Sequence, residues 1–150
     1  MQKLLIVVFS ISTLTGTGQK LDYHKVDSQL YAHAVDSMVK YILNKENPAF
    51  INLDASRIIL KTIPDTIGGQ RIYKKKRKIK SRDNSILITI KPLGGIKTKS
   101  SRSVFLIVSK RVDGHQRSWE GYAGYSYDYF FEQPKDTYVL RKITKSIIIR

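Results

Sequence analysis

Residues 23–44 read YHKVDSQLYAHAVDSMVKYILN. Val26, Leu30, Ala34, Val35, Met38 and Ile42 recur there at three- and four-residue spacing, with Asp27, Gln29, His33, Asp36 and Lys40 between them. That period gathers the apolar set into one stripe and predicts an amphipathic helix of about five turns. Asp22 is the expected N-cap, and NKENP at residues 44–48 is the expected stop. It is the one helix the sequence predicts.

Downstream, the pattern changes from helical to strand-like. RIILKT and Ile63 form a β-branched run closed by Pro64-Asp65, with Gly68-Gly69 just after. SILITIK at residues 85–91 stops at Pro92 and Gly94-Gly95, and VFLIVS at 104–109 reads as a central strand. Asp113-Gly114 marks a tight turn beyond it. From Tyr122 to Glu132, Tyr125, Tyr127, Tyr129 and Phe131 alternate with Ser126, Asp128 and Glu132. TYVLRKI at 137–143 and Ile147–Ile149 complete the set. One long helix followed by four to six antiparallel strands is an α+β layout, with the helix packed on one sheet face. The stretches 71–83 and 93–103 read as loops, and both are basic.

The N-terminus reads as an address. Lys3 supplies a positive start, LLIVVFSISTL at residues 4–14 an apolar run, and Gly16 and Gly18 the small residues before Gln19. This is the layout of a secretory signal peptide over residues 1–18, leaving 19–150 as a single domain. Eleven residues rise about 16 Å as a helix, well short of the ~30 Å hydrocarbon core. The chain is therefore expected to be exported, to a periplasm or beyond. It has no cysteine, which excludes disulfides, thiolate metal sites and a cysteine nucleophile.

Charge is unevenly placed. Of 27 Lys+Arg and 12 Asp+Glu, residues 71–150 hold 20 and 6. The densest part is Arg71 to Arg82, where Arg71, Lys74, Lys75, Lys76, Arg77, Lys78, Lys80 and Arg82 are candidates for anion binding. Like charges in such number repel and stay in water or against an anionic partner. KKKRK at 74–78 imitates a nuclear-import signal, but an exported chain never meets that machinery. Lysine outnumbers arginine in the run, which favours diffuse attraction over bidentate recognition. The partners expected are an anionic polymer or a membrane surface; no motif points to a specific nucleic acid.

Aromatic residues crowd the late strands. Trp119, Tyr125, Tyr127 and Tyr129 are candidates for an aromatic binding surface, against a plain reading in which alternating tyrosines pack a half-buried strand. His24 and His33 lie nine residues apart, on opposite sides of one helix, and His115 follows a turn, so no metal site is expected. His33 and Asp36 read as a solvated helix face. No Gly-x-Ser-x-Gly occurs. No catalytic residue or cofactor is expected, and the chain reads as a non-enzyme.

The pattern resembles small exported bacterial proteins of cystatin-like layout. The resemblance is carried by VDSMVKYIL at 35–43, by GYAGYSYDYFFE at 121–132 and by DTYVLRKI followed by SIII near the end. It implies a long helix wrapped by a curved antiparallel sheet. The Gly-x-Trp typical before the last strand is replaced by Thr144-Lys145-Ser146. An alternative reading follows: a small-ligand-binding or enzymatic domain with a pocket between helix and sheet, lined by Glu120, Tyr127 and Asp128.

Overall fold

The computed structural model describes residues 23–74, 84–91, 100–110, 120–133 and 137–147. The signal-peptide expectation and Asp22 lie outside the described residues.

The first helix, α1, spans Tyr23–Lys45, as its period requires. Val26, Leu30, Ala34, Val35, Met38, Val39 and Ile42 are all buried. They pack on Ile51 and Leu53 of β1 (Phe50–Asp54), on Ile86, Ile88 and Ile90 of β4 (Ser85–Lys91), and on Val104 and Leu106 of β5 (Ser101–Lys110). Burying each of these side chains but Ala34 stabilises the fold by roughly 1.5–3 kcal/mol.

Two expectations are corrected between β1 and β4. The RIILKT run is not a strand but a second helix, α2 (Arg57–Thr62). Ser56 caps it: its Oγ accepts from the Ile59 amide at 3.5 Å, and Thr62 Oγ1 donates to the Ile59 carbonyl at 2.7 Å. Ile59 and Ile63, four apart, are buried, whereas Ile58 is 73% exposed. One helical stripe and a cap thus override the β-branched preference of the run. Pro64 then bars further helix.

The sheet is also not purely antiparallel. It has seven strands, one more than the expected maximum, in the order β2-β3-β1-β4-β5-β6-β7, with β2 at Thr66–Ile67, β3 at Gln70–Tyr73, β6 at Glu120–Glu132 and β7 at Thr137–Ile147. β1 lies parallel to both neighbours, pairing Ile51 with Ile72 on one side and with Ile86 on the other. Parallel pairing needs crossover connections. Residues 55–69, with α2, supply the first; residues 74–84 link β3 to β4. The expected loop 71–83 therefore begins inside a strand, and β5 starts at Ser101, inside the expected loop 93–103. The β2–β3 hairpin turns on Gly68 and Gly69, at φ +57° and +79°, the left-handed pair that a two-residue turn demands.

From β4 onward the sheet is an antiparallel meander. In β7, Thr137–Leu140 are buried and 141–147 are all exposed. The change falls at a bulge: Asp128 pairs with Lys142 but Tyr129 with Leu140, which leaves Arg141 without an opposite residue. Beyond it, the second half of β7 runs past the core.

Candidate functional site

Two of the expected basic residues fall on described backbone. Arg71 is exposed on β3, with its guanidinium 5.5 Å from the Tyr73 ring centroid. Lys74 is not a free cation. Its Nζ lies 2.8 Å from Asp65 Oδ1 and donates to the Ile63 carbonyl. The hydrogen bond from Lys74 to the Asp65 carboxylate, together with its charge, holds that carboxyl below its usual range. Lys74 thus pins the end of β3 to the turn after α2. Lys75, Lys76, Arg77, Lys78, Lys80 and Arg82 lie outside the described residues.

The expected aromatic surface divides. Tyr127 and Tyr129 are 2% and 0% exposed, so they serve the core and not a surface. The alternation of β6 aims both at α1, and burial raises both phenol pKa values. A hydrogen bond from Ser37 on α1 also reaches Tyr127. Tyr125 is half-buried, and Trp119 lies outside the described residues.

Tyr125 has company that the sequence did not reveal. Tyr41, near the end of α1 and 41% exposed, meets it edge-on with ring centroids 6.4 Å apart. Lys45 Nζ lies 4.7 Å from the Tyr41 centroid, and Lys145 Nζ on β7 lies 5.8 Å from that of Tyr125. Each ammonium gains from the ring quadrupole. Contact with the Tyr41 phenol also raises the Lys45 pKa. Beside them stand Ile143 and Ile147, 49% and 78% exposed. The Tyr41–Lys45 spacing of four was a legible signal; the arrival of Lys145 beside Tyr125 depends on the β6–β7 register.

Further along the same helix–sheet interface is a set of buried polar contacts. His33, expected on a solvated face, is buried instead, and its Nδ1 lies 2.7 Å from the Tyr129 hydroxyl. Burial lowers its pKa, against an opposing pull from Asp36. Arg102, opposite Tyr129 in the β5–β6 ladder, forms an ion pair with Asp27 of α1, Nε to Oδ1 at 3.2 Å. Their side chains are 3% and 10% exposed. Arg102 shares the parity of Val104 and Leu106, so period two already directs it inward.

The trio proposed for a pocket does not converge. Tyr127 points to the helix, whereas Asp128 points to the other sheet face, where its Oδ1 accepts from Ser103 and Ser126 hydroxyls at 2.7 and 2.9 Å. The Glu120 side chain is outside the described set.

Compared with known proteins, the chain matches no family model, no curated protein and no solved structure.

Proposed function

We propose that this is an exported, non-enzymatic protein that binds an anionic polymer or membrane surface through its basic segment. The observation that carries this reading is the use of its acids. Among the described residues, Asp27, Asp36, Glu46, Asp65 and Glu132 already hold Arg102, Lys40, Lys110, Lys74 and Arg141. With 12 acids against 27 bases, a charge of +15 remains however the acids are shared. Its counter-charge comes from outside, and the densest cations are those at Lys75–Arg82.

Export rests on the three-part pattern of residues 1–18. No helix among the described residues is long and apolar enough to cross a membrane. A cystatin-like relation is supported by the long helix before the β4–β7 meander; the parallel trio β3, β1 and β4 stands apart from it. The pocketed reading has less support, because Tyr127, Tyr129 and Met38 occupy the space between helix and sheet.

The test is retention on heparin and on anionic vesicles. Changing Lys75, Lys76, Arg77 and Lys78 to Ser, with Lys74 kept for its structural contact, should abolish most retention. Unchanged retention refutes the reading.

A further inference from the structure

The sheet ends at β7, which is paired with β6 alone. Over Arg141–Ile147 every residue is exposed, on both faces. An edge strand offers a row of backbone donors and acceptors for another strand. Here the row is long and flanked by apolar Ile143 and Ile147 and by the Tyr41–Tyr125 pair.

Charge selects the occupant. The segment carries Arg141, Lys142 and Lys145 and no acid. Glu132 holds Arg141. Asp128 stands opposite Lys142, but its Oδ1 is taken by the Ser103 and Ser126 hydroxyls, and Lys145 lies against the Tyr125 ring. A second copy, added antiparallel about Thr144, would set Lys142 opposite Ser146 and Lys145 opposite Ile143. It would bring Lys145 diagonal to its counterpart and put the three cations of each strand on one ladder, where like charges repel. The lysines thus guard the edge against self-pairing, and the same lysines attract an acidic strand.

We infer that the outer edge of β7, residues 141–147, accepts an extended acidic peptide as an eighth strand. Acidic side chains of the peptide sit against Lys142 and Lys145, and its apolar ones against Ile143 and Ile147. This site is separate from the basic segment and does not depend on it.

The probe is a fluorescein-labelled decapeptide, read by anisotropy against the full chain. It has Glu at two positions three apart, to meet Lys142 and Lys145 on opposite faces, and Val at the positions that meet Ile143 and Ile147. Binding should be saturable and should slow amide hydrogen exchange across 141–147. K142E together with K145E should weaken it on the order of tenfold or more and should admit the matching Lys/Val peptide instead. K145Q, a milder change, should weaken it less. Unchanged thermal unfolding shows that these variants fold. The Lys75–Lys78 serine variant should bind the peptide as wild type does. The inference falls if a peptide of equal charge interrupted by two prolines binds as well, because attraction without a ladder would then suffice. It falls equally if the reversed-charge variant keeps its affinity, or if the 141–147 amides are protected in the free protein by concentration-dependent self-association.

Discussion

Arg102 and Tyr129 stand opposite each other across the β5–β6 ladder, and each is held by a different turn of α1, Arg102 by Asp27 and Tyr129 by His33. The helix is thus tied to the sheet by two adjacent polar contacts, with the Ser37–Tyr127 hydrogen bond further along. Such contacts fix register more than they add stability, because desolvation offsets much of their attraction.

Removing one member of the ion pair takes from the other buried charge its opposite-charge contact. Asp27→Ala should cost about 3–5 kcal/mol in urea unfolding, whereas Asp27→Leu with Arg102→Met should recover most of that loss. A double variant no more stable than the single one would argue that the pair itself is needed.

His33 makes stability depend on pH. Its imidazole has an ordinary pKa of 6.5 when unfolded, and burial lowers it in the folded chain. Between those values the unfolded state binds a proton and the folded state does not, so acid favours unfolding. The His33 contribution is complete above about pH 6.5 and declines as pH falls below it. Urea midpoints measured from pH 8 to 5 should drop over that range in wild type, and the drop should shrink in His33→Gln.

Gly124 sits where a side chain has no room. A Cβ there would lie 2.7 Å from Phe105 Cζ and 2.7 Å from Ser146 Oγ. Gly124→Ala should destabilise by roughly 1–3 kcal/mol, and adding Phe105→Leu should return part of it. Thermal unfolding of the two variants decides this.

Processing gives a direct check on export. Expressed in a bacterium with a secretory pathway, the full chain should yield a mature protein starting at Gln19. An N-terminus at Met1 in all of the product would remove the signal-peptide reading.

Much of the helical half was legible. The stripe from Val26 to Ile42 identified α1 and its buried face, because a surface helix must hide one stripe. β4 and β5 were equally plain as β-branched runs bounded by turn residues. α2 was not, since Ile58-Ile59 favours a strand locally and the Ser56 cap decides otherwise. The parallel pairing of β1 was invisible, because no local feature says which distant strand a run will meet. The alternation of Tyr125, Tyr127 and Tyr129 showed a common face but not depth. Depth depends on the bulge at Arg141, past which β7 leaves the core and exposes the flank of Tyr125. Arg102 was readable as inward from its parity, but its partner Asp27 was not, since their meeting depends on how α1 lies on the sheet.

The two ends of the sheet are unequal. At one end β2 is two residues long, and the Ile72 amide donates to the Asp65 carbonyl at 2.8 Å instead of facing outward. At the other, seven residues of β7 lie open. A sheet that grows at one end has a valence of one. Strand addition then stops at a single partner per molecule, and even forced self-pairing stops at a closed dimer, because among the described residues the other edge is only the two-residue β2.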